Sequence, residues 1–223
     1  MTRVLDGETW GIIAVTLRMA LTSTAISAVL GTVFGLLLER ARFRGKNLIV
    51  RINRTFMGMP PVVMGLVVYL LLMRKGPLGF FGILFTVEAM VFAQVLIITP
   101  IICGMVYSAA QRNADRIRAF GVTMGVSRMQ MNLLLVRELG NEIYFAVIAG
   151  FGRAVSEVGA IMIVGGNIQH RTRTMTTAIT LLRNKGNYAE AVTLGVVLLL
   201  IAFIIQLTAD YLRRKEQRTD ENY

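Results

Sequence analysis

Long uncharged runs alternate along this chain with short segments dense in Arg, Lys, Asp and Glu. Residues 19–38 carry no charge and end at Glu39-Arg40, and the apolar character continues upstream through Arg18 to Trp10. A run of ~20 apolar residues is what a helix needs to cross a ~30 Å hydrocarbon core, with Trp10 placed as an interface anchor. The segment reads as a span and not as a cleaved signal peptide, because Asp6 and Glu8 stand where a basic cluster would be needed. Residues 55–73 are also uncharged but contain Met59-Pro60-Pro61. Proline fixes φ and lacks an N–H, so this pair starts or kinks a helix. Residues 62–73 are too few, at ~1.5 Å per residue, to cross the core alone. A short or broken second span is therefore predicted. Arg74-Lys75-Gly76-Pro77 forms a turn. The third span lies within residues 80–110, with Glu88 near its start and a kink at Pro100. The fourth, residues 143–165, is apolar except for Arg153, Ser156 and Glu157, and the fifth covers 191–209. The expected class is all-α, a polytopic membrane protein.

The stretch 111–142 is too charged to be a span and too long for a simple connection. It reads as two short helices. Asn113 is placed as the first N-cap, with Ile117, Phe120 and Met124 at helical spacing and Gly125 as the stop. Ser127-Arg128-Met129-Gln130 then fits a Ser-x-x-Gln capping box, and Met131, Leu134 and Leu135 continue an apolar stripe. Such a knob suits docking in another protein's groove, and equally an amphipathic hairpin lying on lipid.

Composition sharpens this picture. Of 223 residues 55% are hydrophobic and 17% charged, which excludes disorder, and the single Cys103 cannot close an internal bridge. The formal net charge is +11. In a soluble chain that would suggest nucleic acid, but here the cations follow the spans. With the N-terminus outside, fifteen of the 24 Lys and Arg fall in residues 39–54, 111–142 and the tail from 210, against seven in the outer parts. That asymmetry predicts N-terminus out and C-terminus in, a multi-pass protein of the cell membrane with the bilayer as its surroundings and no nucleic-acid partner. The parts would be a short outer N-terminus at 1–10, a transmembrane domain at 11–209 and a cytoplasmic tail at 210–223.

The segment Ala119-Phe120-Gly121-Val122-Thr123-Met124-Gly125-Val126-Ser127 resembles the coupling-loop motif of ABC-importer permeases. In that family it begins Glu-Ala-Ala and reaches a glycine six residues later. Here Ala119, Phe120 and Gly121 replace those three, and Gly125 holds the glycine. Met59-Pro60-Pro61-Val62-Val63-Met64-Gly65-Leu66 with Gly76-Pro77-Leu78-Gly79 resembles the second-span region of molybdate-type permeases. Gly152-Arg153-Ala154-Val155-Ser156-Glu157-Val158-Gly159-Ala160, with Gly165-Gly166-Asn167-Ile168 and Arg171-Thr172-Arg173-Thr174, is similar to the fourth span and following loop of the molybdate, tungstate and sulfate permeases, most of all the tungstate branch. The resemblance implies a type I ABC-importer permease working as two copies. Two ATP-binding cassette subunits would dock at Ala119, Phe120, Gly121, Met124, Gly125 and Ser127, and an extracytoplasmic binding protein would deliver a tetrahedral oxyanion. The chain has no Gly-x-x-x-x-Gly-Lys-[Ser/Thr], so it is expected to be no enzyme, with no cofactor of its own and with ATP and Mg on the partner subunit. The rival class is an ion-coupled carrier, which would show an internal repeat of spans; none is visible.

Arg153 and Glu157 stand four apart, on one face of a continuous fourth helix, with Arg153 ~15 Å in from residue 143. Two readings stand: a gate or pathway-lining pair together with Ser156, Pro60 and Pro61, or a structural ion pair that orients helices. Arg18 is expected to snorkel outward and Glu88 to end near the outer surface. Arg171, Arg173, Arg183 and Lys185 lie in an outer segment, 166–187, that holds no carboxylate. They form an anion funnel or a solvated loop. Lone His170 has no companions for a metal, the 13 methionines read as packing, and no Ser/His/Asp or Cys/His set points to catalysis.

Overall fold

The structure, a computed structural model, describes residues 7–123, 125 and 127–220. For residues 8, 114–118, 120–122, 128, 129, 132 and 212–220 it describes the backbone only. All regular elements among the described residues are helical, as expected. They are α1 (Gly7–Arg40), α2 (Lys46–Met57), α3 (Pro61–Leu72), α4 (Val87–Thr123), α5 (Arg128–Glu138), α6 (Gly140–Ser156), α7 (Gly159–Gly165), α8 (Met175–Asn184) and α9 (Tyr188–Asp220), with one 3-10 turn at Gly79–Phe81.

Three helices contain straight segments long and apolar enough to cross a bilayer: Thr9–Arg40, Val87–Asn113 and Tyr188–Tyr211. Two further crossings are broken pairs. α2 and α3 meet at 103°, α6 and α7 at 59°. Counting each bent pair as one span, the five-span expectation holds as three unbroken crossings and two broken ones.

α1 and α4 form the central pair. Glycine makes their approach possible: a Cβ on Gly35 would lie 2.9 Å from the Cys103 carbonyl oxygen, and one on Gly31 would lie 2.7 Å from Ile102 Cβ. Around this pair Ala20, Ile98, Ile102, Val106, Ala146, Phe151 and Ala154 build the main apolar core. α3 and α7 pack on the Glu88 end of α4 through Met64, Val68, Ala93, Ile97, Ala160 and Val164. The closest approach is at Gly65, where a Cβ would lie 2.6 Å from Ala160 Cα.

Two expectations are corrected. No helix starts at Asn113: its Nδ2 donates to the Ala109 carbonyl at 3.2 Å, inside α4, which runs unbroken to Thr123. The candidate span ends at Asn113, close to where the charged stretch begins, and the helix continues past it. The fourth span is not continuous, because Glu157 and Val158 leave helical geometry. Between the first two crossings the amphipathic α2 starts at Lys46, just after the end of α1. The outer segment contains α8, and α9 continues past 209 into the tail.

The loop's second half is as read. Gly125 turns at φ +68, and Ser127 caps α5. Its Oγ accepts from Gln130 N at 3.3 Å, while Gln130 Oε1 accepts from Ser127 N at 2.8 Å. α5 joins α6 through the single buried residue Leu139. Leu139 N donates to Leu135 O and Ile143 N to Leu139 O, both at 2.9 Å, so the hydrogen-bonded backbone passes through the joint.

Replacing Gly65 by Val forces a side chain onto the α7 backbone, and overpacking of this kind costs ~1–3 kcal/mol. The purified G65V protein should melt several degrees below wild type in a thermal unfolding assay. Gly11→Ala, where a Cβ meets nothing within 4 Å, should not.

Candidate functional site at the meeting of two broken helices

The break in the fourth span is organised by Glu157. A helix that stops inside a membrane leaves carbonyls at one end and N–H groups at the next start, with no water to take them. Glu157 adopts extended geometry at φ −71, ψ 135, and its side chain turns back on the chain. Oε1 accepts from Ala160 N at 3.0 Å, capping α7. Oε2 pairs with Arg153 Nη2 at 3.1 Å. The Glu157 carbonyl accepts from Thr176 Oγ1 at 2.9 Å. Glu157 is only 3% exposed, whereas the Arg153 side chain is 34% exposed. The carboxylate is thus inside the fold and the guanidinium at its edge.

The second broken span meets the first at this level. Pro60 holds ψ 124 and Pro61 is the first residue of α3, so the helix begins where the missing N–H is harmless. A Cβ on Gly159 would lie 2.5 Å from Val62 Cγ2 and 3.6 Å from Glu157 Oε1. The Pro60-Pro61 break therefore lies against the Glu157-Val158 break. On α6 an exposed row of Phe145, Ala149, Gly152 and Ser156 leads to the same place. Its spacing follows one helix face, and three of its members are small. The Ser156 hydroxyl donates to the Arg153 carbonyl at 3.2 Å.

α8 closes the site from the other side. Thr174 and Thr177 form a reciprocal capping box, and Met175 N donates to Thr16 Oγ1 on α1 at 2.9 Å. Residues 166–174 fold back to bring that buried helix start to Glu157, stapled by Thr172 Oγ1 donating to the Gly165 carbonyl at 2.6 Å. From α4, Gln94 Nε2 donates to the Ala154 carbonyl at 3.0 Å.

Of the predicted gate residues, the structure joins Arg153, Ser156 and Glu157, and it sets Val62, the residue after Pro60-Pro61, against Gly159 two residues beyond Glu157. It divides the four funnel cations. Arg171 and Arg173 precede α8, while Arg183 and Lys185 lie at its far end, ~15 Å away along the helix. Ala119, Phe120 and Gly121 are in the last turns of α4, and Gly125 and Ser127 form the turn into α5. Met124 lies outside the described residues. Sequence reading missed Thr16, Gln94, Thr174 and Thr176. The Thr174-x-x-Thr177 cap, followed by Ala178, Leu181 and Leu182 at helical spacing, would have revealed α8. It also missed a pairing: Arg18 Nη2 reaches Glu88 Oε1 at 3.1 Å, with both side chains exposed. Among the described residues, no three His, Cys, Asp or Glu side chains are grouped to hold a metal.

The arrangement gathers an exposed small-residue row, a partly exposed guanidinium and two interrupted helices. Residues 31–218 match the family described as binding-protein-dependent transport system inner membrane component. The chain belongs to that family. This permease is 40% identical, over 90% of its length and 88% of the relative's, to the tungstate uptake system permease protein of Peptoclostridium acidaminophilum. It is 37% identical to the tungstate uptake system permease protein of Campylobacter jejuni, over 77% of this chain and 72% of that one. The molybdenum transport system permease protein of Escherichia coli K12 is 26% identical over 95% and 96% of the two chains. The permease is thus a multi-pass inner-membrane transport subunit with the type I ABC-importer fold.

Glu157→Ala should be the more damaging of two substitutions at the break. It removes both the partner of Arg153, whose lone charge costs at least ~2.5 kcal/mol at membrane depth, and the α7 cap, worth ~1 kcal/mol. Glu157→Gln keeps an oxygen for Ala160 N. Folded yield and thermal midpoint should fall in the order wild type, Gln, Ala.

Proposed function

We propose that this permease carries a tetrahedral oxyanion, tungstate first, from an extracytoplasmic binding protein into the cytoplasm as the membrane subunit of an ATP-driven importer. Two copies form the pathway. Two ATP-binding cassette subunits, which hold the ATP and Mg, dock at the turn around Gly125. The Gly7 end faces out and the Gly125 end faces in, in keeping with the excess of Lys and Arg on that side. The observation that carries the cargo reading is the 40% identity with a tungstate uptake permease over nearly the full length of both chains. Molybdate is the second candidate, supported by the more distant relative in Escherichia coli.

The geometry suggests how the permease works. ATP binding draws the two partner subunits together and moves α5. α5 turns α6 through Leu139, and the motion reaches the Glu157 break, where the two halves of the crossing already meet at 59°. The Arg153 guanidinium offers a dianion a passing contact. Its carboxylate partner keeps that contact weak, so the anion is released and not trapped.

Reconstitution with the partner subunits and loaded binding protein tests this. Uptake of tungstate should require ATP and the binding protein, and excess molybdate should compete better than sulfate. Accumulation without the ATP-binding subunits would overturn the reading. Gly125→Val places a β-branched residue at φ +68, a strain of ~1–2 kcal/mol. It should uncouple ATP hydrolysis from uptake at least tenfold while the permease still folds.

A further inference from the structure

We infer that Gln94 and Thr176 are positioning residues for transport. From α4 and from α8 they clamp the end of α6 at the Glu157 break, and so set how readily the crossing leaves this arrangement. The inference rests on the proposed reading of the chain as the membrane subunit of an ATP-driven importer.

The need for a clamp comes from the backbone. α6 ends at Ser156, so the carbonyls of residues 153–156 lack helical donors, in a crossing where no water replaces them. Side chains make up part of the deficit. Ser156 Oγ donates to the Arg153 carbonyl at 3.2 Å from within α6 itself. Gln94 Nε2, on α4, donates to the Ala154 carbonyl at 3.0 Å. Thr176 Oγ1, on α8, donates to the next carbonyl beyond the helix, that of Glu157, at 2.9 Å. Gln94 and Thr176 are both buried.

The Thr176 bond ends a directed row. Thr177 N donates to Thr174 Oγ1 at 3.4 Å, Thr174 Oγ1 lies 3.0 Å from Thr176 Oγ1, and Thr176 donates onward to Glu157. Hydroxyls in such a row polarise one another. The row also sets the partly positive start of α8 against the partly negative end of α6.

Both donors belong to elements outside the broken crossing. α8 packs on α1 and α9 through Met175, Ala178, Ile13 and Leu194, and Met175 N is tied to Thr16 Oγ1. α4 lies close against α1 at Gly31 and Gly35. The bonds from the Glu157 carboxylate to Ala160 N and Arg153 lie within the crossing and travel with it. Those from Gln94 and Thr176 join the crossing to the rest of the bundle, so they oppose its rearrangement. Each comes from a neutral side chain and is released without unwinding a helix.

The test uses the permease in bilayers with its ATP-binding subunits, with and without loaded binding protein. Thr176→Val keeps the shape of the side chain and removes the donor. Hydrolysis of ATP without binding protein should rise about fivefold, the equilibrium weight of one neutral hydrogen bond, and stimulation by loaded binding protein should fall by that factor. Gln94→Met, the second variant, should act in the same direction. Thr176→Ser, which keeps the hydroxyl, should restore wild-type rates. Thr193→Val, whose hydroxyl serves the Ala189 carbonyl of its own helix, should match wild type. A merely structural role would lower yield and scale both rates together. In the permease reconstituted alone, amides 158–162 should exchange hydrogen about fivefold faster in Thr176→Val than in wild type or Thr176→Ser. Unstimulated rates equal to wild type in both Thr176→Val and Gln94→Met, or a rise that Thr176→Ser also shows, would overturn the inference. If the wild-type permease accumulates tungstate without ATP-binding subunits, the proposed function fails. Faster exchange in Thr176→Val would then still support the clamp, and equal exchange would sink it.

Discussion

The structure turns on one carboxylate. A bilayer tolerates an interrupted helix only if the freed backbone groups find partners within the protein. Glu157 provides them at the fourth crossing: one oxygen ends on the Ala160 N–H, the other on Arg153, and its carbonyl goes to Thr176. An ion pair this deep is not a large source of stability, since desolvation consumes much of its attraction. Its value is positional. It fixes where the crossing breaks, and it lets α8 begin beside that break and not at the surface.

The second crossing solves the same problem by other means. Pro60 and Pro61 remove N–H groups that would otherwise lie unpaired, and the helix starts without a side-chain cap. The two solutions touch because Gly65 and Gly159 lack side chains. Two rigid half-helices therefore lean on one another where each is joined to its other half by extended backbone.

Much of this was legible in the sequence because hydrophobic runs, prolines and capping residues act locally. The span count, the Pro60-Pro61 start, the Gly125 stop and the Ser127 cap all depend on neighbours a few residues apart. What was not legible depends on distant partners. No local breaker marks residue 157; the chain breaks there because Thr176 and Ala160 receive what the helix gives up. Arg153 and Glu157 were expected on one continuous helix, and they pair across its end instead. Charge misled at α4, where Arg112 and Asp115 suggested an end to a helix that simply continues into water. The polar composition of 166–187 hid α8, whose threonines satisfy the protein and not the solvent.

Leu139 has a consequence for mechanics. Most helix pairs are joined by several residues that absorb small displacements. Here one buried leucine links α5 to α6, and hydrogen bonds run through it. Such a joint leaves little chain to take up a displacement between the two helices, and α6 reaches ~25 Å beyond it. The interruption of the crossing at Glu157 stands at the far end of that length.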